Sequence, residues 1–399
     1  MRARPIPYCA PSIGQEESDE VLDSIRNGWL TTGPKVEIFE NSFAEFVGAK
    51  HAIAVNSCTT ALTLALAALD IGPGDEVIVP TLTFCAAANV VEHRGATAIL
   101  VDVGQDFQID PIAIERAISS KTRAIIPVHF GGQACDLNAI LELGKCHGIA
   151  VVQDAAHAVG AQYNGLRLGA HGLVTAFSFY PSKNMTTGEG GMLTTDDEAF
   201  AARLRQLSRF GISRDAGNKA DGNRSWYYEV REPGYKANMM DLQAAIGIHQ
   251  LRKLEGFIER RRAIANRYSA AFADLNEFLL PRDLPERPHV HYLYTVRIIA
   301  ESSKITRDNL IRELDKAGVG TSVHFIPLHK HPFYRAKYGD SPTLFPVADA
   351  LYDQIVSLPL YPAMSDQDVL DVIDAVCRIV FTSRNNSDPM PEHFGVNSK

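Results

Sequence analysis

Short apolar runs recur along the first half of the chain, at residues 52–55, 76–79, 98–101, 124–128, 150–153, 175–179 and 191–194. They are nearly continuous, without the polar–apolar alternation of a half-solvated strand. Such runs predict strands buried on both faces by covering helices. Between them lie stretches with helical spacing, at 60–69, 111–118, 137–147 and 198–207. The alternation predicts an α/β domain whose mostly parallel, seven-stranded sheet is sandwiched by helices.

After about residue 235 the pattern changes. Residues 240–267 read as one long helix with apolar positions at Leu242, Ile246, Leu251, Leu254 and Ile258. Its basic run, Arg260, Arg261 and Arg262, reads as a solvated helix face. Strand-like runs follow at 294–299 and 321–325, with helices at 307–317 and 367–380. These predict a smaller C-terminal α+β domain. The expected division is a large domain over 1–250, a small domain over 251–382 and a flexible polar tail over 383–399.

Composition narrows the class without choosing the function. A 399-residue chain with 46% hydrophobic and 22% charged residues is ordinary for a globular protein of more than one domain. No apolar run is long enough to span a membrane, and no membrane partner is expected. The net charge of −8, from 39 basic and 47 acidic residues, argues against nucleic acid as a partner. Six cysteines, none at C-x-x-C spacing, suggest neither zinc nor a redox pair and fit a reducing cytoplasm. The N-terminus lacks the apolar core of a secretory signal, so a cytoplasmic location is expected.

Three constellations carry candidate chemistry, each at the end of a predicted strand. At 56–62, Asn-Ser-Cys-Thr-Thr-Ala-Leu places hydroxyls and free N–H groups at a helix start, where phosphate binds well and where an ordinary cap is the plain alternative. At 151–157, Asp154 follows a strand directly and faces the crevice at the carboxyl edge of the sheet, where ligands of open α/β sheets bind. An ionised Asp there wants a cation, and a protonated pyridine nitrogen would serve; a helix cap is the alternative. At 176–183, a strand runs out through Ser178 to a single Lys183, followed by Gly188, Gly190 and Gly191. A lysine beside a second cation is a candidate amine nucleophile; a surface lysine is the alternative.

Together these resemble the fold-type I pyridoxal-phosphate enzymes, and more narrowly the DegT/DnrJ/EryC1/StrS sugar aminotransferase family. The resemblance runs from about residue 6 to about 380. It also rests on Pro-Thr-Leu-Thr-Phe at 80–84, Ile-Pro-Val-His-Phe-Gly-Gly at 126–132, 234–245, and Leu-Pro-Leu-Tyr-Pro at 358–362.

The resemblance implies a pyridoxal 5′-phosphate cofactor, passing through its pyridoxamine form. Lys183 is implied to bind it as a Schiff base and then to move the proton. Asp154 would pair with the ring nitrogen, His157 would lie near the ring's 3-oxygen, and Phe84 would stack on the ring. Thr59, Thr60 and Ser178 match phosphate-binding positions, with Cys58 where the family has Gly. Asn238 matches a residue that crosses to the partner's phosphate, implying a homodimer with shared active sites. Gln153 stands where Glu is frequent, Ala237 where an aromatic is common, and Met240 where Thr or Ser is common.

Substrate contacts are expected from Trp226 and Tyr227 in a loop over 212–231, and from His324, His329 and Tyr334 in a loop over 323–334. The histidine spacing is not a usual zinc pattern, and no metal is expected. The implied reaction takes an amino group from L-glutamate to a nucleotide-linked keto-sugar, at C4 of a 4-keto-6-deoxy sugar. Amination at C3, a keto-cyclitol acceptor, and a non-catalytic cofactor-binding regulator are the alternatives. A dehydratase of the same fold would carry His in place of Lys183. A regulator would be expected to carry an N-terminal DNA-binding domain, and the cofactor-domain pattern begins almost at once.

Overall fold

The computed structural model describes residues 4–213, 227–299, 304–339 and 343–384. Seven strands form the central sheet: β1 His51–Val55, β2 Glu76–Pro80, β3 Thr97–Val101, β4 Thr122–Ile125, β5 Ala150–Asp154, β6 Val174–Ser178 and β7 Gly191–Thr195. Their spatial order is β1-β7-β6-β5-β4-β2-β3. Only β7 runs against its neighbours, pairing antiparallel with both β1 and β6. The mostly parallel, helix-covered sheet expected from the sequence is therefore present.

Alternate residues of each strand serve opposite faces. Ile53, Val55, Val77, Val79, Ala124, Val152 and Ala176 pack with helices α3 Cys58–Ala68, α4 Ala86–His93 and α7 Glu198–Leu207. Ala52, Ala54 and Phe177 face α2 Pro34–Val47 and the long helix α8 Asp241–Phe272. Ile78, Val101, Ile125 and Val151 face α5 Pro111–Ala117 and α6 Leu137–His147. Helix α3 reads Cys-Thr-Thr-Ala-Leu-Thr-Leu-Ala-Leu-Ala-Ala, apolar nearly all round, and is buried accordingly.

Strand β4 stops at Ile125, three residues short of the expected end. Pro127 has no N–H to give the ladder, and only one bridge, Val128 to Asp154, continues it. Helices α1 Gln15–Arg26 and α2 lie where the sequence pattern above predicts none. For α2 the signal was present: Pro34 at its first turn and Gly48, at φ +78°, just past its end. The N-cap Gly33 has no side chain to cap with. Asp241, fully buried, does it from across the fold, accepting from Gly33 N at 2.8 Å, Val36 N at 3.1 Å and Lys35 N at 3.3 Å.

A second sheet is antiparallel: β8 Phe278–Leu279, β9 Tyr294–Ile298 and β10 Ile355–Leu358. Helix α9 Arg307–Lys316 and the C-terminal helix α12 Asp366–Arg384 cover it. Between them, α10 Pro332–Tyr338 and α11 Pro346–Gln354 return to the large sheet, where Tyr334 and Leu328 join one core and Leu351 another. Helix α8 runs unbroken through residue 250. Its Ile248, Leu251, Leu254 and Ile258 belong to the core of the large sheet, and its Ile264, Tyr268 and Phe272 to that of the small sheet. Beyond Arg384, the tail expected over 383–399 lies outside the described residues.

Two expectations are corrected. Residues 321–325 form no strand: Ser322 makes a single bridge to Ser357, and the chain then crosses to the large sheet, where Leu328 N donates to Thr81 O at 2.7 Å. The apolar run there serves a crossover held at both ends. The basic run at 260–262 is not a solvated face. Arg261 is 2% exposed and donates to the Leu360 carbonyl at 2.8 Å, while Arg260 reaches Met364 O and Arg262 reaches His289 O. Each bends back to a backbone acceptor, which sequence spacing cannot reveal.

The face beneath α2 is held by aromatic rings. Phe43 lies 5.0 Å from Phe177 and 5.5 Å from Phe179, centroid to centroid, and is fully buried. Phe43→Ala is expected to lower stability by about 3–5 kcal/mol, read from urea unfolding followed by near-UV circular dichroism.

Candidate active site

Strand ends β1, β5 and β6 open on one crevice. At the end of β1, Ser57 is the N-cap of α3 and accepts from Thr60 N at 3.1 Å through its Oγ. The Cys58 and Thr59 N–H groups precede the intrahelical ladder and stay available to an anion. Thr59 is exposed, Thr60 half-buried, and Asn56 Oδ1 is buried with no partner among the described residues. Strand β7 presses against this loop. A Cβ on Gly191 would sit 2.5 Å from Ser57 C and 2.6 Å from Cys58 N, so only glycine lets the two backbones approach.

At the end of β5, Asp154 is 7% exposed. Its Oδ1 accepts from Ala156 N at 2.9 Å and from the Cys58 thiol at 3.8 Å. Burial pushes its carboxyl pKa up, against the opposing pull of the Ala156 N–H and the Lys183 charge. Among the described residues no arginine or lysine pairs with it directly. A buried carboxylate in that state is stabilised by a cation brought into the crevice. Behind it, Gln153 is not a free substitution for Glu. Its Oε1 meets His129 Nε2 at 3.1 Å and its Nε2 donates to His171 O at 2.5 Å. His129 Nδ1 accepts from Cys135 N at 3.0 Å, and burial lowers that imidazole to a pKa of about 4.

At the end of β6, Ser178 is buried and takes the Tyr180 N–H at 3.4 Å on its Oγ. Lys183 follows in the turn. Its Nζ donates to Tyr292 Oη at 3.4 Å and lies 4.7 Å from the centroid of that ring. The His157 ring lies 4.4 Å from the same tyrosine ring, tilted by 31°. Burial, with Lys183 and His324 adding to it, holds His157 well below the usual imidazole pKa, so it is neutral. Its Nδ1 takes the Gly131 N–H at 3.4 Å, which leaves the proton on Nε2 and makes that edge a donor. Phe84 is 58% exposed and 6.0 Å from Phe325, an open ring face and not a core residue.

Of the remaining expected contacts, the fold places Asn238 beside the end of β1 and His324 near Lys183. Asn238 pairs through its backbone with Val55, and its Nδ2 donates to Thr32 Oγ1 at 2.7 Å, beside Lys236. His324 is buried on Ser357 Oγ at 2.9 Å and depressed by burial to a pKa of about 3. Two of the expected substrate contacts, His329 and Tyr334, already have internal partners. His329 is held between Thr81 Oγ1 at 2.7 Å and Asp349 Oδ1 at 3.0 Å, stacked on Phe345. Tyr334 is 3% exposed with its hydroxyl on Asn89. Tyr227 donates to Glu229 Oε1 at 2.9 Å, on the stem where residues 212–213 and 229–230 pair; Trp226 lies outside the described residues. No cluster of three metal-ligating side chains occurs among the described residues. Tyr292 was missed: it is one of thirteen tyrosines, and only the fold brings it to Lys183.

The group implied by the sequence fits these residues. A phosphate suits the free N–H groups and hydroxyls at the start of α3. A protonated ring nitrogen suits Asp154, a flat ring suits Phe84, and an aldehyde suits the Lys183 amine.

Comparison with known proteins agrees. The model of the DegT/DnrJ/EryC1/StrS aminotransferase family matches residues 11–377. The chain belongs to that family. It is 51% identical over 377 residues to the spore coat polysaccharide biosynthesis protein SpsC of Bacillus subtilis, covering 94% of this chain and 97% of that one. The putative sugar aminotransferase Spr1654 of Streptococcus pneumoniae, solved in a PMP form, superposes with a TM-score of 0.88 at 34% identity, over 95% of this chain and all of that chain. The same protein is also solved in a PLP form. DesV of S. venezuelae, solved with a ketimine intermediate, gives 0.83 at 36% identity, over 93% of this chain and 95% of its own. The protein is a sugar aminotransferase of this family, dependent on pyridoxal phosphate.

Two outcomes follow from the geometry. Gly191→Ala is expected to push the 57–58 backbone aside and weaken pyridoxal phosphate binding at least tenfold, read by quenching of intrinsic fluorescence. Stability is expected to fall as pH drops below about 6.5. His129 and His291 are depressed to about 4 and His324 to about 3, all by burial. Above 6.5 the imidazoles are neutral in both states and contribute nothing. Below it the unfolded chain takes up protons that the folded chain refuses, down to about pH 3–4. A thermal midpoint that stays flat between pH 7 and 5 would contradict neutral burial.

Proposed function

We propose that this family member transfers the amino group of L-glutamate to C4 of a nucleotide-linked 4-keto-6-deoxy sugar, as a cytoplasmic homodimer. The observation that carries the catalytic part is the buried Asp154 carboxyl, raised in pKa by burial, in the same crevice as the Lys183 amine. The C4 assignment is supported by Gly234-Tyr235-Lys236, Asn238 and Met239, which resemble the 4-aminating branch. The homodimer is supported by exposed apolar residues on and beside α1 and α2: Leu22, Ile25, Trp29, Leu30 and Ile38, each at least 44% exposed. They adjoin Thr31 and Thr32, which receive the Asn238 side chain.

When bound, pyridoxal phosphate supplies an aldehyde that takes up the amino group and a ring that stores the released electron pair. Asp154 holds a proton on the ring nitrogen, which makes that storage favourable. Lys183 Nζ is the nucleophile, and once free it takes the proton from the donor's α-carbon. His157 donates through Nε2 from a neutral imidazole, so it adds no charge to compete with Lys183. The start of α3 binds the phosphate and fixes the register of the ring against both residues.

Lys183→Ala is expected to abolish turnover and the visible absorbance of the bound cofactor. Asp154→Asn should keep the fold and lose about two to three orders of magnitude in rate, measured in single turnover with L-glutamate. An unchanged rate would reduce Asp154 to a brace of its own turn through Ala156 N. Incubation with nucleotide-linked 4-keto and 3-keto sugars, with the product read by NMR, tests the acceptor. A 3-amino product would overturn the C4 assignment.

A further inference from the structure

The segment 290–293 is gripped far more firmly than a surface connection needs. On one side, Val290 N donates to Gly132 O at 2.9 Å and Leu293 N to Gly131 O at 3.1 Å. Both glycines are left-handed, at φ +66° and +100°, and a Cβ on Gly132 would stand 2.9 Å from Tyr292 N. On the other side, the buried Arg261 guanidinium donates to the carbonyls of His291 and Tyr292, each at 3.4 Å, as well as to Leu360. Between these grips His291 is itself left-handed, at φ +49°. A non-glycine residue held there is strained and persists only where its surroundings over-determine it. What the strained backbone delivers is the Tyr292 side chain. It is 6% exposed, with its hydroxyl 3.4 Å from Lys183 Nζ and 3.3 Å from Ser182 Oγ.

We infer that Tyr292 is a positioning residue for the Lys183 amine: its hydroxyl receives Nζ whenever Nζ is not bonded to the cofactor, and its ring keeps Nζ in the crevice until it reacts again. The phenol suits both forms of the amine, accepting a hydrogen bond from the ammonium and donating one to the neutral nitrogen. The ring adds a cation–π attraction for the charged form only. Arg261 and the two glycines of the 126–132 motif act through Tyr292 by fixing its backbone. The inference rests on Lys183 being the amine that carries the cofactor.

The test is Tyr292→Phe, which keeps the ring and removes the oxygen. One hydrogen bond to a charged amine corresponds to about tenfold in rate. The variant is expected to bind pyridoxal phosphate within about twofold of wild type. The visible absorbance on adding pyridoxal phosphate to the apoprotein should grow about tenfold more slowly, because Nζ is no longer held ready. In turnover, kcat should fall by a similar factor with KM for the amino donor unchanged. Tyr294→Phe, which removes a buried hydroxyl bound to Ser269, should leave capture of the cofactor at the wild-type rate. Wild-type capture and kcat in Tyr292→Phe would overturn the inference. So would loss of the fold or of cofactor affinity in that variant, which would make the hydroxyl a packing element. Lys183→Ala with retained visible absorbance would instead overturn the role of Lys183.

Discussion

A carboxyl group is buried at the end of β5 with no Lys or Arg paired to it among the described residues, and much of the molecule is arranged around it. Asp154 sits in the interior of an open sheet with one oxygen occupied by a backbone N–H and a thiol. Burying a carboxylate without a cation is unfavourable, and burial raises its pKa here. The protein sustains it because β5 is a central strand, bonded on both sides and unable to shift. In the proposed reaction the cation that relieves it is the protonated ring nitrogen of the cofactor. Binding and catalysis thus draw on the same electrostatic tension.

Two backbone contacts turn that charge into a site. Gly191 lets the antiparallel strand β7 touch the 57–58 turn, which fixes where an anion at the start of α3 stands relative to Asp154. Gly131 and Gly132 let the 290–293 segment touch the 130–132 turn, which brings the second sheet against the first. Helix α8 completes the link, since its Arg261 clamps that segment while its Asp241 caps α2 at the other end. One helix of about 48 Å therefore ties the phosphate side of the fold to the amine side.

The buried imidazoles share one logic. His129, His157, His291 and His324 lie in or near the crevice and burial keeps each of them neutral. Near a lysine that must act as an amine, further positive charge would be adverse. Neutral rings supply shape and directed hydrogen bonds without adding to the field.

The seven strands, most of their covering helices and the strand-end positions of Lys183, Asp154, Thr59, Thr60 and Ser178 were legible in the sequence, because each depends on its own neighbours. Buried parallel strands read as apolar runs, and ligand groups stand directly at their ends. What the sequence could not say depends on chain crossings. Arg261 reads as solvated until the 359–362 turn is seen lying over it. His329 and Tyr334 show no sign in the sequence of the partners Thr81, Asp349 and Asn89 that hold them. Tyr292 reads as any tyrosine until 109 residues of separation close to 3.4 Å. Local pattern determined the sheet and the reacting groups; the tertiary structure alone decided which side chains hold those groups in place, because long-range contacts leave no periodic trace in the chain.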